Sequence, residues 1–451
     1  MSQTSYLCIR LSAFATVSLA LFYFIVQPSS IPRPWKGPGG AVTGGSRKCS
    51  PRDWSAGSWK RKENPVVVVK PDDVYAASGF KGCASNREVP WHLANDHPDD
   101  LPWRGNISAY DWVPSGVCND MLDEFQESLV VDLVERGGWL LIGGTHSVTQ
   151  EHFFSISCTL YPHVLATPDY SKDWGFDRAW PQHLYLNPIS PLVSRIKFPE
   201  GFNMTKTPLV SFRRNDLLFN TTEVETMFNG GVWKPGPGEN STLFGSEQSW
   251  NISPTEYLDD LFFRPLPDAN YHTLIVSTAG HWSLKLLAGL PNGYTDIYDL
   301  YRIILGNFVY QAARQLDLHQ SAKQREVVIR PYMPGDDYCH THEVMYGGPL
   351  KEVPNIEHAS YNWAWIPHLN GLAKTAVEER AHPHVNYADI YRPGKLRPDA
   401  HVLGDCLHIT IGAGVIEGWT KYLHYYLGTY LPWYRASTKL PGYPISDRFR
   451  R

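Results

Sequence analysis

The sequence predicts an α/β fold whose mainly parallel sheet is covered by helices on both faces. Three observations support this. Short apolar runs of strand length occur from residue 116 onward, and helical patterns separate them. Strands joined by helices of this length form parallel sheets with both faces covered. A chain of 451 residues with 43% hydrophobic residues can also bury a large core.

Four strands and four helices carry the prediction. The strands are predicted at residues 139–142, 209–212, 273–277 and 327–330. The helices are predicted at residues 125–135, 148–160, 297–316 and 415–427. Because the carboxyl ends of parallel strands meet at one edge of the sheet, functional loops are expected at that edge.

The chain begins with an apolar segment. Residues 11–26 carry no charge and lie between Arg10 and Pro28, which is typical of a short transmembrane anchor or of the apolar part of a signal peptide. No clean cleavage site follows, so residues 1–27 are predicted to be a cytosolic tip and signal-anchor helix in a membrane. Residues 28–45, rich in Pro, Gly and Ser, are predicted to form a flexible stem.

The cysteines and glycosylation motifs indicate an oxidising, secretory environment. Five Asn-X-Ser/Thr motifs occur, although Pro254 makes the last one doubtful. Their asparagines are Asn106, Asn203, Asn220, Asn240 and Asn251. Once Cys8, in the predicted anchor at 1–27, is set aside, six cysteines remain, and without a CxxC pair they fit disulfides better than zinc. They are Cys49, Cys83, Cys118, Cys158, Cys339 and Cys406, and fifteen pairings are open.

The rest of the chain divides by composition. Residues 46–115 carry five tryptophans with little periodicity, and they form either a small module or a layer packed on the main domain. Residues 116–435 are predicted to be that domain, and residues 436–451 a C-terminal tail. The net charge of -4, without long charged blocks, gives no electrostatic argument for nucleic acid as a partner.

Three residues suggest nucleophilic chemistry. Ser147 follows a strand and a Gly-Gly turn and precedes a helix, where free amides could stabilise an oxyanion, although a serine at this position is often only an N-cap. Asp405 and His408 are three residues apart and can project to one side of a turn, although a capping Asp beside a structural His gives the same spacing. An imidazole oriented by a carboxylate can activate a serine, so the order Ser, Asp, His suggests acyl transfer.

Four segments together resemble a known family. They are GGTHSVTQEHFFSISC (143–158), TAGHW (278–282), VVIRPYMPGDDYC (327–339) and RPDAHVLGDCLH (397–408). In this order they resemble the PC-esterase domain of the trichome-birefringence-like and capsule O-acetyltransferase superfamily, over residues 116–430. The resemblance implies a three-layer α/β/α sandwich of the SGNH/GDSL type, with Ser147 as nucleophile, Asp405 as carboxylate and His408 as base. The chain departs from the family at 145–147, where Thr-His-Ser replaces Gly-Asp-Ser.

Further residues are candidates for the substrate groove. Gly144 and Gly280 could offer backbone donors, and His281 lies beside Gly280 at the end of a predicted strand. Trp282 could be a platform for a sugar ring or could fill the core. By analogy with other SGNH enzymes, Asn215 could complete an oxyanion hole, although Asn after a strand usually serves a turn. Cysteine and histidines at 339–342 could bind zinc, but a disulfide is favoured and no metal is predicted.

These observations lead to two functional hypotheses. The first is a secretory-pathway enzyme, resident in the Golgi or another membrane of the pathway, that moves an acyl group, most simply acetyl, onto or off sugar hydroxyls of a polysaccharide or glycan. It needs no bound cofactor, and the acyl donor is unidentified. The second, which the altered turn at 145–147 favours, is a catalytically silent glycan-binding or assembly protein with the same fold.

Overall fold

The computed structural model describes residues 47–144, 148–172, 180–232, 242–319, 324–337, 339–341, 344, 347, 350 and 361–438. Five predicted features therefore lie partly or wholly outside the described residues. They are the anchor at 1–27, the stem at 28–45, Ser147, the glycosylation site Asn240 and most of the tail. The described residues from Lys48 onward form one compact unit by their contacts.

The fold is α/β with a mostly parallel central sheet, which confirms the predicted class. The sheet contains seven strands in the order β4-β5-β6-β3-β7-β8-β9, and β1 and β2 form a separate antiparallel pair. The strands are β1 Ser58–Arg61, β2 Tyr110–Val113, β3 Gly138–Gly143, β4 Val164–Thr167, β5 Gln182–Leu186, β6 Val210–Arg214, β7 Tyr271–Ser277, β8 Glu326–Ile329 and β9 Val385–Tyr387.

The strand order places a topological switch at β3. Strands β6, β3, β7, β8 and β9 are parallel, whereas beyond β6 strand β5 pairs antiparallel with β6 and β4 pairs antiparallel with β5. After β3 the chain builds one side of the sheet through β4, β5 and β6, and it then crosses to β7 on the other side. In open α/β sheets ligands bind outside the carboxyl ends of the strands at such a switch. A ligand site is therefore expected at the residues that follow β3, β6 and β7.

Strand β3 is buried on both faces because its sequence is apolar throughout. All six residues of β3 are buried, and Trp139, Leu140, Leu141 and Ile142 are at most 4% exposed. Uninterrupted apolar character is typical of a strand covered by helices on both sides. Each fully buried side chain of this size stabilises the fold by about 1.5–3 kcal/mol relative to exposure. This strand is therefore a rigid support for the turn that follows it.

Helices fill the connections, and several begin with a recognisable cap. At Asn220 and Ser50 the side-chain oxygen accepts a hydrogen bond from the backbone N–H three residues on, and the carboxylate of that later residue accepts one from the backbone N–H of the cap. The helices are α1 Pro51–Ser55, α2 Asp73–Ser78, α3 Val89–Leu93, α4 Leu101–Ile107, α5 Gln126–Glu135, α6 Val148–Thr159, α7 Thr221–Met227, α8 Tyr294–Leu318, α9 Ile366–Arg380, α10 Arg392–Lys395, α11 Val415–Tyr425 and α12 Leu431–Thr438.

The tryptophan-rich N-terminal region packs on the C-terminal part of the chain. The Trp54 and Tyr422 rings pack in a tilted arrangement with 5.0 Å between their centroids, and the Trp59 indole N–H donates to the carbonyl of Pro393 at 2.8 Å. Disulfides also tie the region to its surroundings. All six predicted cysteines pair, which confirms the disulfide prediction and gives the connectivity Cys49–Cys118, Cys83–Cys158 and Cys339–Cys406. These contacts favour a packed layer over a separate module.

A buried ion pair fixes the amino-terminal edge of the sheet. Glu326, the first residue of β8, is 3% exposed and accepts hydrogen bonds from both terminal nitrogens of Arg435 at 2.7 Å. His384 lies 3.0 Å from the same carboxylate. Burial alone would raise the pKa of Glu326, but the hydrogen bonds and charges of His384 and Arg435 hold that pKa below its usual value. Helix α12 is thereby attached to this edge.

The predicted elements are confirmed with shifts of a few residues at their ends. The predicted elements have no counterpart for strands β1, β2, β4, β5 and β9, or for helices α1–α4, α7, α9, α10 and α12. Within the described residues, no helix combines the length and the apolar character that a membrane crossing requires.

The described glycosylation candidates differ in accessibility. Asn106 is exposed, and its side-chain oxygen accepts a hydrogen bond from Arg61. Asn203 and Asn220 are half-buried, and their side-chain oxygens accept backbone hydrogen bonds. The Asn251 amide nitrogen, where a glycan would attach, donates to Ser249 at 2.9 Å. Asn106 is therefore the most accessible of the four described asparagines.

Candidate active site

Two of the three predicted catalytic residues form a close pair. The Nδ1 atom of His408 lies 2.7 Å from the Oδ2 atom of Asp405. The other carboxylate oxygen, Oδ1, accepts the backbone N–H groups of Leu407 at 2.7 Å and of His408 at 3.0 Å. A carboxylate bonded to Nδ1 fixes the ring orientation and leaves Nε2 to act as a base.

The electrostatics of the pair match this role. Burial alone would raise the pKa of the Asp405 carboxyl, but hydrogen bonding to the His408 ring, its charge and the two backbone donors hold that pKa well below its usual range. Asp405 is therefore ionised at neutral pH. An ionised carboxylate stabilises the imidazolium that forms when His408 accepts a proton.

A short turn and a disulfide hold this pair in position. The backbone N–H of Val402 donates to the His408 carbonyl, and His401 forms an antiparallel bridge with Ile409. Gly404 adopts a φ of 77°, in the left-handed region that favours glycine. Cys406, between the members of the pair, is bonded to Cys339. The sequence Gly-Asp-Cys-Leu-His thus encodes the turn, the carboxylate, the disulfide and the base.

The turn is joined to the first part of helix α6. Glu151, fully buried, accepts a hydrogen bond from the backbone N–H of Ile409 at 3.3 Å. His92 approaches the other oxygen of Glu151 at 3.5 Å. The Trp91 ring meets the His408 ring edge-on, with 5.3 Å between the ring centroids. His408 is therefore held between the N-terminal region and helix α6.

The third predicted residue, Ser147, lies outside the described residues, and the nearest described residues are Gly144 before it and Val148 after it. Gly144 follows the last residue of β3, and Val148 is the first residue of α6. Ser147 is covalently bonded to Val148, and Glu151 is three residues further along that helix. Helix α6 starts immediately after Ser147, and its residue Glu151 contacts Ile409, which directly follows His408. This contact therefore links the helix after Ser147 to the turn that carries His408.

A second histidine–carboxylate pair lies against Gly144. The Nε2 atom of His281 is 3.5 Å from the Oδ1 atom of Asp216. A Cβ atom placed on Gly144 would lie 2.7 Å from Cδ2 of His281 and 3.3 Å from Oδ1 of Asp216. Gly144, Asp216 and His281 follow β3, β6 and β7, so three neighbouring strands deliver them to the switch point.

Asp216 is held rigidly by its neighbours. It is 1% exposed, and its carboxylate accepts hydrogen bonds from the Arg214 guanidinium at 3.2–3.3 Å and from the Trp250 backbone N–H at 2.9 Å. The Arg214 guanidinium also lies over the Trp250 ring, 3.4 Å from its centroid. The chain at Trp250 thus crosses the carboxyl end of β6 and joins this second pair.

The remaining predicted groove residues lie at the same edge but differ in role. Asn215 is fully buried, its amide donates to the Ile252 carbonyl and its oxygen accepts from the Leu218 N–H, as expected for a turn residue. Its place in an oxyanion hole stays a prediction. Gly280 has no room for a side chain, because a Cβ atom there would overlap the Tyr332 ring.

Trp282 is a core residue, so its predicted use as an exposed sugar platform is wrong. Its exposure is 0%, its indole N–H donates to Thr278 Oγ1 at 3.1 Å, and its ring packs edge-on against Tyr301. The Trp282 side chain is buried because it lies in the turn after β7, where the backbone N–H of Trp282 donates to the Ala279 carbonyl and the ring packs into the core. The alternative, that Trp282 fills the core, is confirmed.

One group of described residues has the arrangement of metal ligands. Side-chain atoms of Cys339, His340 and Cys406 lie within 4.8 Å of one another. The two cysteines are joined in a disulfide, and a disulfide sulfur is not the thiolate that binds a metal. The structure therefore assigns this group to the support of the Asp405 turn.

Sequence reasoning missed Glu151, Asp216 and Trp250 as parts of this site. Asp216 could have been noticed because it directly follows a predicted strand, but its pairing with His281 depends on the strand order. No protein-family model matches the chain, and no curated protein matches it.

Proposed function

We propose that this protein is an acyl-transfer enzyme with a three-layer α/β/α fold of the SGNH type, and that Ser147, His408 and Asp405 act as nucleophile, base and orienting carboxylate. The reaction moves an acyl group, most simply acetyl, onto or off a sugar hydroxyl of a polysaccharide or glycan. The main observation in support of this proposal is the His408–Asp405 pair, whose Nδ1 and Oδ2 atoms lie 2.7 Å apart. Its attachment to helix α6 through Glu151 supports the assignment of Ser147.

The proposed reaction has two halves. In the first, Nε2 of His408 takes the Ser147 hydroxyl proton while the serine oxygen attacks the acyl carbonyl, and the proton passes to the leaving group. In the second, a sugar hydroxyl or water attacks the acyl-serine, gives its proton to His408, and the serine oxygen recovers it. Backbone N–H groups near Gly144 and at the start of α6 would stabilise the oxyanion in both halves. A sugar acceptor gives transfer, and water gives hydrolysis.

The proposed setting is the lumen of the secretory pathway, with residues 1–27 as a membrane anchor and the Golgi as the expected location. Three disulfides support an oxidising compartment, because such bonds are rare where thiols are kept reduced. The exposed asparagine of the motif at Asn106 is compatible with glycan attachment there. Polysaccharide or glycan and membrane lipid are the proposed partners.

A serine-to-alanine comparison tests the proposal. The purified full-length chain is incubated with p-nitrophenyl acetate and with acetylated xylo-, manno- and chito-oligosaccharides, and product masses are recorded. Ser147→Ala and His408→Ala should each lose at least 10³-fold of the wild-type rate, since either removal disables a triad. Ser194→Ala, at an exposed serine whose hydroxyl donates to Pro191, is the matched control and should keep the wild-type rate.

The same experiment separates the alternative function. A wild-type protein that releases no acyl group but still binds the oligosaccharides would be a silent glycan-binding protein. Activity that survives Ser147→Ala would instead mean that another residue is the nucleophile.

A further inference from the structure

We propose that His281, Asp216 and Trp250 form the subsite that holds the sugar whose hydroxyl gains or loses the acyl group. This inference rests on the proposed function and extends it by naming the residues that recognise the carbohydrate. It replaces Trp282, which the core buries, with a different aromatic residue at the same edge of the sheet.

The position of His281 is the first argument. Its imidazole is about one-fifth exposed, and it lies so near Gly144, three residues before Ser147, that a Cβ atom placed there would be 2.7 Å from Cδ2 of the ring. A hydrogen bond from this ring would therefore reach a group bound next to the nucleophile turn. His281 pairs with Asp216 whereas His408 pairs with Asp405, so the two imidazoles use separate carboxylates.

The rigidity of Asp216 is the second argument. Arg214 and the Trp250 backbone satisfy this buried carboxylate, while His281 lies within ion-pair distance of it. A carboxylate that is fixed on several sides orients the imidazole with little loss of side-chain entropy on binding. Such pre-orientation suits recognition of sugar hydroxyls, which both donate and accept hydrogen bonds.

The aromatic ring of Trp250 is the third argument. Trp250 is half-buried, and the guanidinium of Arg214 lies over its ring, so the indole is fixed while part of it remains exposed. Ligand sites combine apolar and aromatic walls with a few oriented polar groups. A pyranose ring matches this combination because its C–H face is apolar and its rim is polar. The indole supplies the wall, and the His281–Asp216 pair supplies the polar group.

The test compares a sugar substrate with one that lacks a sugar. For each variant, kcat and KM are measured on the acetylated oligosaccharide that wild type uses best and on p-nitrophenyl acetate. Trp250→Ala and His281→Gln should lower kcat/KM for the oligosaccharide about tenfold more than for p-nitrophenyl acetate, mainly through KM. Loss of an aromatic contact or of an oriented hydrogen bond has this size.

Two control variants come from the opposite edge of the sheet. His424 forms a histidine–carboxylate pair with Asp132 at 3.1 Å, and Trp433 is a half-buried tryptophan on α12. His424→Gln and Trp433→Ala should leave the ratio of the two kcat/KM values unchanged.

Parallel losses on both substrates for Trp250→Ala and His281→Gln, or no loss at all, would overturn the subsite. The proposed function fails separately, because it requires that Ser147→Ala abolish turnover of p-nitrophenyl acetate itself.

Discussion

Replacing Asp405 with asparagine should disable the base while leaving the fold nearly intact. In the wild type, Oδ1 of Asp405 accepts the N–H groups of Leu407 and His408, and Oδ2 accepts from the imidazole. An asparagine in the same rotamer keeps Oδ1 and presents its NH₂ group to Nδ1 of His408. That amide stabilises the tautomer with hydrogen on Nε2, which cannot take a proton from Ser147.

The size of the effect follows from this geometry. A wrong tautomer in a serine triad costs about 10⁴-fold in kcat, which is about 5 kcal/mol of transition-state stabilisation. Because both backbone bonds remain, Asp405→Asn should lower the free energy of unfolding by only about 1–2 kcal/mol. Asp405→Ala also removes those two acceptor contacts, so it should destabilise the fold by about 1–3 kcal/mol more.

Two measurements check this prediction. Steady-state hydrolysis of p-nitrophenyl acetate gives kcat, and thermal denaturation followed by circular dichroism gives stability. The reasoning is refuted if Asp405→Asn keeps kcat within tenfold of wild type while the protein is folded. It is also refuted if the asparagine and alanine variants are equally unstable.

Two further predictions concern the supports of the fold. The depressed pKa of Glu326 means that its stabilisation is complete above the ordinary carboxyl value of 4.5 and is lost as pH falls through the folded-state pKa. Glu326→Gln should therefore be about 2–4 kcal/mol less stable than wild type at pH 7. Denaturation curves should show that this difference in the free energy of unfolding becomes smaller below pH 4.5. A difference that stays constant with pH would contradict the assignment. The Cys339–Cys406 and Cys49–Cys118 disulfides span 67 and 69 residues, so replacing either pair with serines should cost a similar stability of about 4 kcal/mol. Only loss of Cys339–Cys406 should also reduce the activity of the folded protein by tenfold or more, and equal activity losses would show that this disulfide does not specifically support the Asp405 turn.

The central part of the fold could be predicted because its buried strands have locally apolar sequences. Residues 139–142 are apolar without interruption, and β3 is buried on both faces as that pattern requires. Strand β4 has one buried residue among four, β5 has five residues of which two are only partly buried, and β9 has three residues, so each gives a weak local signal. These strands, of which β4 and β9 are the edges of the sheet, are defined by pairing with neighbours, which a local pattern does not encode.

In the candidate site, too, contacts between residues close in sequence could be predicted, whereas contacts between residues far apart in sequence could not. Asp405 and His408 are three residues apart, so one turn brings them together, and their pairing could be expected from spacing. Asp216 and His281 are separated by 65 positions, and only the placement of β6 and β7 on either side of β3 makes them neighbours. The burial of Trp282 likewise depends on packing against Tyr301, which lies on another element.

Identification of the covalently modified residue tests the central claim most directly. The full-length chain is treated with a fluorophosphonate that reacts with activated serines, digested, and analysed by mass spectrometry of its peptides. We expect one adduct on Ser147 in the wild type, and at least a hundredfold slower labelling in His408→Ala because the serine loses its base. An adduct on another serine, or labelling of Ser147 that is independent of His408, would contradict the proposed mechanism.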